Sequence, residues 1–190
     1  DKFQTAPSIL DVDGEKFIAA GNNNDTLYVI NSDGSLHFSV GAGGKVNTSP
    51  VFFETGGIIY LAFGSKNDEI YLVDMNGNAL PGWPVMINGN IEGSVICSDL
   101  DGDGAEEWLS ATTRANTGAE MAGAVTLFRS QDLADAAPQI GRDAVSTTWT
   151  GSYTGGLAGH GLSCRDDIDG DGLPDLLISA PYADSPIPQD

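Results

Sequence analysis

Short apolar runs, broken by Gly, Asn and Asp, recur along the whole chain, and their length limits the kind of element they can form. Leu27-Tyr28-Val29-Ile30 and Ile70-Tyr71-Leu72-Val73 are rich in β-branched and aromatic residues, which suit a pleated, half-buried surface. Each run leads to a hairpin signal, Asp33-Gly34 and Asn76-Gly77. Strands are expected before these runs, over Lys16 to Ala20 and Ile58 to Phe63. Others are expected after them, over Leu36 to Val40 and, past the Gly82-Trp83-Pro84 break, Val85 to Ile87. Further along, Gly93 to Ser98, Trp108 to Thr112, Ala124 to Phe128, Gly161 to Arg165 and Leu176 to Pro181 read the same way. All are too short for helices, so the pattern predicts an all-β chain.

The strands fall into repeats. Gly21 to Gly34 aligns without a gap on Gly64 to Gly77, an offset of 43 residues. A third unit has a strand at Trp108 to Thr112, an insertion from Thr113 to Ala122, and a strand at Ala124 to Phe128. A fourth starts near Thr150 and lacks its later strands. Repeats of about 40–45 residues with four strands each mark β-propeller blades, because one such sheet cannot bury both faces alone. A β-sandwich also alternates strands with turns, but leaves the ungapped offset unexplained. The expectation is one β-propeller-like array over 1–190 with about four blades, at roughly 1–44, 45–90, 91–149 and 150–190, the last incomplete.

Two loops carry candidate chemistry. Asp99-Leu100-Asp101-Gly102-Asp103-Gly104-Ala105-Glu106-Glu107 recurs as Asp167-Ile168-Asp169-Gly170-Asp171-Gly172-Leu173-Pro174-Asp175. Carboxylates at loop positions 1, 3 and 5 can point inward together, and the glycines permit the sharp turn between them. Position 7, Ala105 or Leu173, would lend its backbone carbonyl, and position 9, Glu107 or Asp175, can close the cage. Oxygen-only donors argue for calcium over zinc or copper, and a flexible multi-carboxylate cage suits calcium better than magnesium. About two Ca2+ ions are therefore expected. An EF-hand is excluded, because position 12 is Ser110 or Ile178 and the flanking segments are strand-like. Asp11-Val12-Asp13-Gly14 and Glu54-Thr55-Gly56-Gly57 occupy the equivalent places in the first two units, but are too reduced to expect metal there.

Composition narrows the partners. Acids outnumber bases 27 to 8, for a net charge of −19, which argues against nucleic acid and anionic membrane surfaces. No apolar run approaches the roughly 20 residues needed to span a bilayer, so membrane insertion is not expected. The start at Asp1 without methionine points to a processed product or a segment of a longer chain. Weak calcium cages fill where calcium is near-millimolar, so a secreted or cell-surface location is expected. Cys97 and Cys164 each precede a loop; a disulfide is open, and buried thiols are the simpler reading. His37 and His160 lack zinc-ligand spacing, and no Gly-x-Ser-x-Gly elbow is present, so no catalytic constellation is expected. Trp83, Trp108 and Trp149 are expected to pack between blades rather than line a sugar site.

The second loop, followed by Leu176-Leu177-Ile178-Ser179-Ala180-Pro181, resembles the FG-GAP repeat of integrin α-subunit propellers and bacterial exported proteins. Gly159-His160-Gly161-Leu162 stands near that family's Phe-Gly, with His160 in place of Phe. Gly123 to Phe128 resembles the strand after its Gly-Ala-Pro element, and Leu80-Pro81-Gly82-Trp83-Pro84 its degenerate bacterial repeats. The resemblance implies cages at Asp99, Asp101, Asp103, Ala105 and Glu107, and at Asp167, Asp169, Asp171, Leu173 and Asp175. Glu107 departs from the usual Asp. Integrin propellers have seven blades and this chain supplies about four, leaving open completion of the ring by another chain or segment. The implied function is a calcium-binding extracellular scaffold for a protein or glycan ligand, in adhesion or surface assembly. The alternative is part of a secreted polysaccharide-degrading enzyme, for which the insertion with Arg114 and Glu120 is the place to look.

Overall fold

The structure is a computed structural model that describes residues 2–3, 5–87, 91, 93, 95–104, 106–116, 119–129, 145–164 and 166–183. Its strands are β1 (Ser8–Val12), β2 (Glu15–Gly21), β3 (Thr26–Asn31), β4 (Leu36–Gly41), β5 (Val51–Thr55), β6 (Ile58–Gly64) and β7 (Glu69–Asp74). They continue as β8 (Val85–Met86), β9 (Val95–Ser98), β10 (Glu107–Thr112), β11 (Ala124–Phe128), β12 (Val145–Thr150), β13 (Leu162–Ser163) and β14 (Leu177–Ile178). No helix occurs among the described residues, and so none is long and apolar enough to cross a membrane.

Chain order is sheet order. β1 to β4, β5 to β8 and β9 to β12 form three antiparallel four-stranded sheets, and β13 pairs with β14 in a fourth. The 43-residue repeat is physical as well as sequential. Gly34 and Gly77 both take positive φ in matching turns, closed by Asn31 N to Ser35 O and Asp74 N to Asn78 O, each 2.9 Å. Asp25 and Asp68, also equivalent, share a left-handed backbone at φ 58° and 67°. The Thr48 hydroxyl lies 2.9 Å from Gly64 N and 3.0 Å from Gly64 O, and Thr5 bridges Gly21 in the same way. A Cβ on Gly64 would meet Ile91 at 2.4 Å, and one on Gly21 would meet Val46 at 2.3 Å. Both glycines therefore make room for a residue of the next unit, the Val46 side chain and carbonyl at Gly21 and the Ile91 side chain at Gly64.

The core lies between sheets. Strand alternation sends Leu61 and Phe63 of β6 against Phe17, Ala19, Leu27 and Val29 of the first sheet. Ala62 of the same strand faces Val95, Trp108 and Phe128 of the third. Leu109, Ala111 and Val125 then meet Leu162, Leu176 and Ile178 of the fourth. Trp108 is fully buried and stacks on Phe128 at 4.0 Å between ring centres, with Trp83 at 5.3 Å. Two of the three tryptophans thus pack between blades. Trp149 differs: it lies on β12 and is 40% exposed. The β12 strand itself was not expected, and it completes the third sheet.

Tyr71 ties the first two sheets together. Its hydroxyl lies 2.7 Å from the Ala42 carbonyl and 2.6 Å from Glu69 Oε2, with one proton between the two acceptors. Burial, aided by Glu69, pushes its pKa up from 10.0 to about 12. Because the folded pKa is raised, its contribution to stability is intact below pH 10 and lost as pH climbs through about 12. In an ultraviolet phenolate titration, Tyr71→Phe should remove the component that rises through about pH 12, whereas an unchanged titration would contradict this placement.

Candidate metal centres

The two Asp-Gly loops fold alike because their side chains satisfy the loops' own amides. Asp99 accepts from Gly102 N at 2.8 Å and Gly104 N at 3.0 Å. Asp167 accepts from Gly170 N at 2.6 Å and Gly172 N at 2.9 Å. All four glycines have φ between 76° and 93°, where a side chain would be strained. At position 9, Glu107 Oε2 accepts from Leu100 N at 2.9 Å, and Asp175 Oδ2 from Ile168 N at 2.7 Å. The longer Glu107 arm therefore reaches the same loop amide as the aspartate.

These bonds gather the carboxylates. Asp99, Asp101 and Glu107 each bring an oxygen within 4.8 Å of the others, and Asp167, Asp169 and Asp175 do the same. Asp103 and Asp171, at position 5, fall outside these triads. The Asp171 carboxylate instead accepts from Leu173 N at 2.8 Å. Ala105 lies outside the described residues. Leu173, at position 7 of the second loop, packs over Gly102 of the first, with its Cδ2 2.8 Å from where a Cβ would stand. The loops thus abut.

The electrostatics are those of like charges held together. Burial pushes the Glu107 carboxyl above its ordinary range; the Leu100 N–H opposes this, and Asp101, Asp103 and Asp99 add to it. Arg129 answers part of the charge: its Nη1 lies 3.8 Å from Asp101 Oδ2 at the partly exposed surface. A hard divalent ion fits this all-oxygen donor set, with Asp99, Asp101 and Glu107, or Asp167, Asp169 and Asp175, already converging. The reduced loop of the first unit is a tight turn in which Asp11 pairs with Lys16, as its poor chelating pattern suggests.

Other candidate residues are dispersed. His37 Nε2 lies 3.0 Å from the Met75 carbonyl, with the ring against Phe17, and exposed His160 donates its N–H to Leu157 O in a turn. Exposed Arg114 and Glu120 sit on the insertion, where the Glu120 carbonyl accepts from Gly155 N at 2.8 Å. A concave site holding a tryptophan lies elsewhere. It is a cleft of about 270 Å³ whose lining includes Asp101, Glu107, Asp175, Arg129 and Trp149. Sequence reasoning passed over Arg129, which has no motif of its own and is placed by the end of β11. Cys97 and Cys164 form no disulfide. The Cys164 thiol points to the Cys97 carbonyl at 3.6 Å, and that of Cys97 to Phe52 O at 3.8 Å, along successive inner strands.

The FG-GAP repeat profile matches residues 164–190, a span that includes the second loop and β14. None of the curated proteins matches the chain. Among 47 matching chains of solved structures is the crystal structure of BBS1N in complex with ARL6DN, soaked with lead. It is similar at a TM-score of 0.57 and 14% identity, over 94% of this chain and 50% of that one. This chain thus spans about half the length of that structure, and at such identity the likeness is one of fold. The repeat match marks one FG-GAP repeat at 164–190, and the stacked antiparallel sheets and the fold neighbour support a β-propeller-like arrangement of blades.

Proposed function

We propose that this FG-GAP β-propeller chain is a calcium-stapled scaffold, working outside the cytosol, that presents its blade loops to a protein or glycan partner. The observation that carries the reading is the pair of converging carboxylate triads, built in one loop conformation on successive blades. Asp99, Asp101, Asp103, the Ala105 carbonyl and Glu107 would hold one ion, and Asp167, Asp169, Asp171, the Leu173 carbonyl and Asp175 the other. Calcium supplies the positive charge that lets these side chains converge without mutual repulsion. Asp103 and Asp171 would turn inward to complete the cages. Because the loops join β9 to β10 and β13 to β14, binding would be coupled to the packing of the last two sheets.

A partner-binding role is supported by the fold neighbour, BBS1N, whose structure is a complex with ARL6DN. The cleft beside Arg129 and Trp149 offers a ring face and a cation next to the cages, a chemistry suited to a glycan. Near-millimolar calcium outside cells would keep weak oxygen cages filled.

Calorimetric titration of chelator-stripped protein with calcium tests the reading. About two ions should bind, and Asp167→Ala should remove one of them while leaving the other. Absence of binding in the folded wild-type chain would refute it.

A further inference from the structure

The two carboxylate loops meet through Leu173. This half-buried residue of the second loop rests its Cδ2 over Gly102 of the first, 2.8 Å from where a Cβ would stand. Gly102 lies between Asp101 and Asp103, and its N–H is held by Asp99 at 2.8 Å. A shift of Gly102 therefore disturbs the backbone that aims the acids of the first loop. Leu173 is tied as closely to the acids of its own loop. Its N–H donates to Asp171 at 2.8 Å, and that of the preceding Gly172 to Asp167 at 2.9 Å.

More contacts join the loops beneath. Leu100, next to Asp99, and Leu176, next to Asp175, both pack on the cluster formed by Leu109, Ala111, Val125 and Leu127. Asp101 and Glu107 of the first loop line one cleft with Pro174 and Asp175 of the second. The loops are two parts of one packed unit, not separate surface turns.

We infer that Leu173 couples the two cages, so that calcium held by one raises the affinity of the other. The inference rests on the calcium reading of the loops and deepens it. Leu173 stands at position 7, where its carbonyl would serve the second cage while its side chain buttresses the first. Fixing Leu173 in the second cage also orders its contact with Gly102, and the first loop then closes on a support already in place. Linkage makes the effect reciprocal, so the first cage favours the second by the same factor. Charge alone gives the opposite sign. A divalent ion in one cage cancels part of the negative potential that draws a cation to the other. The sign of the coupling therefore separates packing from electrostatics.

Calorimetric calcium titration of the wild type, Asp169→Asn, Leu173→Ala and the double variant tests this. Asp169→Asn weakens the second cage while keeping an oxygen to accept from Asp171 N, a bond of 3.1 Å. It should lower the affinity of the first cage about fivefold or more. Asp101→Asn, at the equivalent position of the first loop, should weaken the second cage by a similar factor. Leu173→Ala keeps the carbonyl, so both ions should still bind. In that background Asp169→Asn should change the first cage by less than about twofold. An unchanged or tightened first cage in Asp169→Asn alone would overturn the coupling and leave the calcium reading standing. So would an equal drop with and without the Leu173 side chain. No calcium bound by the folded wild-type chain would instead refute the calcium reading, and the coupling with it.

Discussion

Trp108→Ala is expected to lower the unfolding free energy by about 3–5 kcal/mol, a large share of the roughly 5–15 kcal/mol that holds a typical domain. Trp108 is fully buried between the second and third sheets, with Phe128 stacked on one side and Trp83 and Phe53 near it. Removing the ring leaves a cavity that three aromatic neighbours on separate segments of the chain cannot collapse to fill. Its indole N–H is buried without a hydrogen-bond partner among the described residues, so Trp108→Phe should cost far less, losing ring area but also an unsatisfied donor. Trp149→Ala, at a partly exposed ring on β12, should be milder than Trp108→Ala. Urea denaturation ranks the three, and equal losses at Trp108 and Trp149 would contradict packing between blades as the dominant source of stability.

Asp169→Ala should lower the melting temperature strongly in calcium and hardly at all in chelator. Its carboxylate converges with Asp167 and Asp175, and it accepts from the loop amide of Asp171 at 3.1 Å. A site filled at about 100 times its dissociation constant adds about 2.7 kcal/mol. For a chain of this size that is roughly 5–10 °C. Thermal melts of wild type and variant, with and without calcium, make the four-way comparison. An equal loss in chelator would mean that Asp169 is only a turn residue, and the cage assignment would fall.

Much of the fold was legible because its two main signals are local. Period-two apolar runs ending at Asp33-Gly34 and Asn76-Gly77 specify hairpins directly, and the ungapped offset from Gly21 to Gly64 reflects one backbone path used twice. A further copy of that signal went unread: Thr5-Ala6-Pro7 and Thr48-Ser49-Pro50 carry the threonines that bridge Gly21 and Gly64. It has no hydrophobic signature, since its work is done by one hydroxyl and two backbone groups. The strand Val145–Thr150 escaped notice because Val-Ser-Thr-Thr-Trp-Thr is mostly polar, as an outermost strand can be when its neighbour covers only one side.

The loops were readable for the same reason as the hairpins. Asp and Gly at fixed spacing determine both the backbone turns and the amides that orient the carboxylates. Sequence could not foresee the contacts made across blades. Leu173 seated on Gly102, Arg129 beside Asp101, and Trp149 in the cleft with Glu107 and Asp175 all depend on how neighbouring units stack. Nor does the pattern reveal that Glu107 is buried while Asp175 is only half so, although the two hold equivalent loop amides.

The most direct test of the calcium-stapled scaffold is a crystal structure of the chain grown in calcium, with anomalous scattering recorded to identify the ion. The account predicts one peak within about 2.3–2.6 Å of oxygens from Asp167, Asp169, Asp171 and Asp175, and a second among Asp99, Asp101, Asp103 and Glu107. Ordered loops at millimolar calcium with water, or nothing, in both places would contradict it.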